Sequence, residues 1–214
     1  IILPLWLQTG MGYTATSSGL ATCGMGLLSI CSAPLVGRLV NRVDARILGS
    51  MGVGWMALIA IWRSGMSTEA DFMAVLLPSV MTGLGMGFFY VPVTDLALQA
   101  VDPSETAAAT GITNFLRTTA AAFGVSISTT AWENFAASDH EQLAAALPHA
   151  QLSLGALMDR GAGEIQARAA IDALVSGQSL VLAANQVFLA AAGVFVVAGL
   201  FLWLAPRSGV TSFP

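Results

Sequence analysis

Long charge-free runs constrain this chain more than any other feature. Residues 1–37, 47–62, 72–94 and 173–206 contain no Asp, Glu, Lys or Arg. A helix that crosses a bilayer needs about 20 mostly apolar residues, because its backbone polar groups must be satisfied inside the segment. The chain is 56% hydrophobic and 9% charged. A soluble surface ordinarily carries about 25% charged residues, so this composition cannot clothe one. The fold class that follows is an all-α polytopic membrane helix bundle. All eight cations are arginine, against twelve acids, for a net charge of -4. No basic patch is available, so nucleic acid is excluded as a partner and the lipid bilayer takes its place. Two cysteines exclude a disulfide scaffold. The chain opens at Ile1 inside an apolar run with no basic leader ahead of it. It therefore does not read as a signal peptide, and a missing N-terminal part is expected.

The first run is too long for one helix and breaks at Gly10-Met11-Gly12-Tyr13. Thr14, Thr16, Ser17 and Ser18 then supply a helix N-cap. The spacing predicts one helix end over 1–9 and full spans over about 16–38, 46–64, 72–98, 104–134 and 178–204. Asp102-Pro103-Ser104-Glu105 is a helix-start signal, with Asp at the N-cap, Pro at N1 and Glu at N3. Residues 135–172 form a polar connection, read as short helices between loops. The spans are rich in glycine, with Gly83, Gly85 and Gly87 in one of them. Lipid supplies no water-driven force between helices, so close approach at small residues holds them together. Gly83, Gly87 and Gly124 are read as packing positions.

Short loops alternate sides. Arg38, Arg42 and Arg46 cluster at one membrane edge, and Arg207 falls on the same side. Arg63, Arg160 and Arg168 fall opposite. The positive-inside rule makes 38–46 and the 205–214 tail cytoplasmic and 135–172 extracytoplasmic.

The segment Gly37-Arg38-Leu39-Val40-Asn41-Arg42-Val43-Asp44-Ala45-Arg46 resembles the G-x-L-a-D-r-x-G-r-k loop of the major facilitator superfamily, in its degenerate second-half copy. Gly37, Leu39, Arg42 and Arg46 fit. Asn41 and Asp44 depart from the Asp and Gly of the first copy. Leu3-Pro4-Leu5-Trp6-Leu7-Gln8-Thr9 with Gly12-Tyr13-Thr14-Ala15-Thr16 looks like a core-helix junction of the EmrB/QacA subfamily. Gly83-Leu84-Gly85-Met86-Gly87 with Val91-Pro92-Val93-Thr94 looks like a later helix, and Asn114-Phe115-Leu116-Arg117 with Gly124 and Ser126 like the one after it. The matches run in order from residue 3 to about 134. Cys23-Gly24 departs from the proline that relatives often carry.

The resemblance, nearest to the EmrB type, implies the C-terminal six-helix half of a fourteen-span drug:proton antiporter. One partial and five full spans would make up residues 1–214, with the N-terminal half missing. Two such halves would enclose a cavity near the midplane. Implied too are hydrophobic or cationic drugs and protons as substrates, no cofactor, a periplasmic adaptor protein as partner and a bacterial inner membrane. A same-fold transporter of a narrow metabolite, or a non-transporting sensor or interaction module, stays open as an alternative.

Within that frame the candidate cavity residues are Trp6, Gln8, Phe88, Tyr90, Asn114 and Arg117. Arg117 lies deep in the fifth span, where an arginine must face protein or water. It either shapes the cavity or bonds a neighbouring helix. Phe88, Phe89 and Tyr90 are consecutive, so at least one faces away from any cavity; Tyr90 shares a face with Gly83 and Gly87. Asp95 is the candidate proton-coupling carboxylate, since protonation changes its cost of burial. Its plainer reading is a place at the membrane edge or a pairing with an arginine of 38–46. Gly37, Arg38, Arg42, Asp44 and Arg46 form the candidate cytoplasmic gating loop, or alternatively a topology signal binding anionic lipid. Asn185 and Gln186 are read as bonded between helices. No metal-ligand spacing, nucleophile motif or P-loop appears, so the reading assigns no catalytic residue and no enzyme activity.

Overall fold

The computed structural model describes residues 2–9, 12–67, 71–99, 101–145 and 163–204. Among the described residues the chain is helical and contains no strand. The helices are α1 (Ile2–Thr9), α2 (Ala15–Val40), α3 (Ala45–Arg63), α4 (Phe72–Gln99), α5 (Thr106–Ala145) and α6 (Glu164–Leu202). The break before α2 turns at Gly12, whose φ of 68° favours a residue without a Cβ. Thr14 then caps α2 by accepting a hydrogen bond from the Ser17 N–H at 3.2 Å. Asp44 caps α3 in the same way, accepting from the Arg46 N–H at 3.0 Å. Asp102 starts a 3-10 turn over Pro103–Glu105 that leads into α5. The Ser104 N–H and hydroxyl both donate to the Asp102 carboxylate, which holds its pKa below the usual range.

α4 is the centre of the bundle, and its glycines show why. Gly83 and Gly87 face α2: a Cβ on Gly83 would run into the Met25 carbonyl, and one on Gly87 into the Ser32 hydroxyl. Gly85 faces the other way, toward Gly52, Trp55 and Met56 of α3. At Gly52 an added Cβ would stand 2.7 Å from the Phe88 backbone. The alternation lets α4 press backbone-close against two helices at once. The Trp55 indole N–H ties the second contact by donating to the Met81 carbonyl at 2.8 Å. α6 packs on α3 and along α5, whereas α4 and α5 touch only lightly. The helices therefore run α2, α4, α3, α6, α5 around an opening between the first two and the last. α1 closes one end, where Leu3, Leu7, Ala21, Val75, Trp132, Val181 and Ala184 form the core.

α2, α3, α4 and α6 are long and apolar enough to cross a membrane. α5 is longer than any of them but more polar, with threonines, serines and Arg117 through its middle. The expected short helices of 135–172 are corrected at the two described ends of that segment. Residues 135–145 continue α5, and α6 begins at Glu164 rather than near 178. Residues 146–162 lie outside the described residues, as does the 205–214 tail. With 40 and 39 residues, α5 and α6 each run about 60 Å, roughly twice a hydrocarbon core.

Candidate functional site

The opening is a cavity of about 780 Å³ lined from α1, α2, α3, α4, α5 and α6. Its walls are mostly apolar, with Leu3, Pro4, Val187, Phe188 and Phe195, and carry a few hydroxyls at Thr22, Ser79, Ser128 and Thr129. That size and mixture are those of a small-molecule site.

Two arginines meet this region, in different ways. Arg117 projects from α5 across the thin contact to α4. Its Nη2 donates to the Thr94 hydroxyl at 3.3 Å, and its Cζ stands 5.1 Å from the centre of the Tyr90 ring. Tyr90 itself lines the cavity, with Phe89 edge-on beside it at 5.3 Å. Among the described residues the guanidinium charge is thus answered by a ring face and a hydroxyl rather than a carboxylate. Beside it lies a small notch of about 60 Å³, lined by Arg117, Asn114, Thr94, Thr110 and Thr113 together with Ala97 and Leu98.

Arg63 is the second, and the sequence reading placed it only at the end of the 46–64 span, with no role in the cavity. It is the last residue of α3 and only 8% exposed. Its Nη2 donates to the Ser79 hydroxyl at 2.9 Å, and its Cζ lies 5.7 Å from the centre of the Phe188 ring. The signal was present in the spacing. Gly49, Gly52, Val53, Ile59, Ala60 and Arg63 recur at helical intervals along the buried face of α3.

The other expected residues fall as follows. Trp6 belongs to α1, but its side chain lies outside the described residues. Gln8 is exposed and bonds the Pro4 carbonyl of its own helix at 3.1 Å. Phe88 does not line the cavity: its backbone lies against Gly52 at the α3–α4 contact. Gly124, read as a packing position, lines the cavity, and among the described residues no atom outside its own helix stands within 4 Å of a Cβ added there. Asp95 accepts from Gln99 of its own helix at 2.6 Å and meets no arginine among the described residues. In the 38–46 segment, Gly37, Arg38 and Arg42 are exposed, Asp44 is the α3 cap, and Arg46 reaches the Trp203 carbonyl at the end of α6 at 3.5 Å. Asn185 donates to the Met66 carbonyl at 2.8 Å, and Gln186 to the Asp139 carboxylate of α5 at 3.0 Å.

The chain is similar to known transporters along almost its whole length. Multidrug export protein EmrB of Escherichia coli (strain K12) is 33% identical over 210 residues, which cover 96% of this chain and 41% of the relative. Fatty acid resistance protein FarB of Neisseria gonorrhoeae is 31% identical over 208 residues, covering 95% and 41%. Multidrug export protein EmrB of Haemophilus influenzae is 30% identical, covering 96% and 41%. The chain spans about two fifths of the length of these curated relatives. The profile of the Major Facilitator Superfamily matches residues 1–125. On that match, which takes in more than half of its residues, the chain belongs to the Major Facilitator Superfamily and is an integral membrane protein.

Proposed function

We propose that the chain is the C-terminal half of an exporter of hydrophobic drugs of the EmrB/QacA type, driven by proton antiport. The observation that carries this reading is the cavity of about 780 Å³, apolar and aromatic-walled with a few polar groups, and open along the α4–α5 cleft. A second half packed across that opening would complete a site that neither half forms alone. Alternating access would come from one half rocking against the other, with the proton gradient biasing the two states. The names of the relatives, multidrug export proteins, support the same class of cargo.

In this reading Tyr90, Asn114 and Arg117 face the cargo, and Asp95 is the proton-coupling candidate on this half. The segment 38–46 works at the cytoplasmic face, where Arg46 joins the start of α3 to the end of α6. The tail 205–214 is cytoplasmic. The 135–172 side is extracytoplasmic, in a bacterial inner membrane, and offers the extended ends of α5 and α6 to an adaptor protein.

The test uses the full-length protein in proteoliposomes under an imposed pH gradient. Drug-dependent proton movement is expected on adding a hydrophobic drug. Folded protein that moves no protons with a range of drugs would favour a narrow-substrate transporter or a non-transporting module.

A further inference from the structure

An arginine at the end of a membrane helix ordinarily extends toward the interface, where water solvates its charge. Arg63 does the reverse. It ends α3, yet its guanidinium turns inward to Ser79, seven residues into α4 and so about 10 Å along that helix from Phe72. There it lines the cavity, 8% exposed, over the Phe188 ring. One N–H of Nη2 serves Ser79. Nε is buried with no acceptor. Among the described residues Arg63 has no carboxylate partner, and none of the residues lining the cavity is acidic. Burying a cation in an apolar wall is costly unless an anion answers it. A ring face and one hydroxyl answer only part of the charge. The remaining Nε–H and Nη hydrogens form the fork that matches a carboxylate.

We propose that Arg63 and Ser79 are the anion subsite of the cavity, holding the carboxylate of an amphipathic weak acid whose apolar chain lies along Phe188, Val187 and Leu3. This rests on reading the chain as half of a drug exporter, and it narrows the cargo. A cation entering the cavity meets a like charge with no acid among the described lining residues to offset it. A neutral molecule fills the space but leaves Arg63 unanswered. A weak acid does both jobs: its chain takes the apolar wall and its ionised head takes the guanidinium.

The test is equilibrium binding of radiolabelled decanoate to the full-length protein in detergent, with decanamide as the uncharged comparator. No proton gradient is involved, so the result is independent of whether drug and proton fluxes are coupled. Arg63→Gln should weaken decanoate binding tenfold or more and change decanamide binding less than twofold. Arg63→Lys should keep part of the decanoate affinity. Ser79→Asp sets a carboxylate beside the guanidinium, so the protein stays internally paired; it should lose decanoate binding and keep decanamide binding. That variant also covers the case in which Arg63→Gln does not fold. Equal losses for both ligands would mean that Arg63 answers a carboxylate elsewhere in the full protein, and would overturn the proposal. Absence of decanoate binding to the unsubstituted protein would overturn it as well, whatever the protein does in a flux assay.

Discussion

Single glycines divide into two kinds here, and the distinction is physical. Gly83 lies against the Met25 backbone, whereas Gly54 has open space around it. Backbone cannot swing aside as a side chain can. Gly83→Ala should therefore lower stability by about 1–3 kcal/mol, as overpacking does. Gly54→Ala should be neutral or raise it by up to about 1 kcal/mol, through helix propensity. Thermal melts of the two purified variants check this, and equal effects would contradict the packing account. The arginines divide as well. Arg117 spans the cleft to Tyr90 and Thr94, a contact of about 0.5–2 kcal/mol. Arg117→Ala is expected to abolish drug-dependent flux while insertion and elution profile stay those of the parent protein; a variant that no longer folds would assign Arg117 to structure. Arg117 was legible because it interrupts an apolar span. Arg63 was legible only as the end of a buried helix face, because the spacing does not say whether its guanidinium turns out to water or back into the bundle.

At the scale of elements, the α5–α6 pair departs furthest from expectation. Hydropathy ends a span where polar residues begin, but a helix ends only where its backbone bonding is broken. Residues 135–145 contain neither Gly nor Pro and are rich in alanine, the strongest helix former. The helix therefore continues through Asp139 and His140. At the other end Gly163 takes the N-cap position, and Glu164 pairs with Arg168 one turn on at 2.7 Å. The exposed contacts between the two helices, His140 with Asp172 and Gln186 with Asp139, contribute little in water. What joins α5 to α6 is Trp132, which is 5% exposed and donates from its indole to the Leu180 carbonyl at 3.1 Å. Trp132→Ala should cost about 3–5 kcal/mol through the cavity it leaves. Trp132→Phe, losing mainly the hydrogen bond, should cost about 0.5–1.5 kcal/mol. Melting temperatures in that order support the assignment, and a harmless Trp132→Ala would contradict it.

For the whole molecule, the light contact between α4 and α5 matters most, because it leaves the cavity open on one side. Asp95 lies on α4 near that cleft, held by Gln99. Asn keeps the position permanently uncharged, so under the proposed coupling Asp95→Asn should flatten the pH dependence of drug flux. A pH profile that keeps its shape would remove Asp95 from the coupling scheme. The order of the described helices, and the membrane character of α2, α3, α4 and α6, were determined by the sequence alone. Charge-free length, caps at Thr14, Asp44 and Asp102, and glycine at close-packing intervals are local properties, and local physics acts on them before any tertiary contact exists. Which charges face inward was decided only by the tertiary structure. Burial of Arg63 depends on Ser79 and Phe188 arriving from two other helices, and Gly124 borders a cavity where no described helix packs against it. A chain carries helix periodicity along its length, but a cavity is a relation among helices distant in sequence, and no spacing within one of them encodes it.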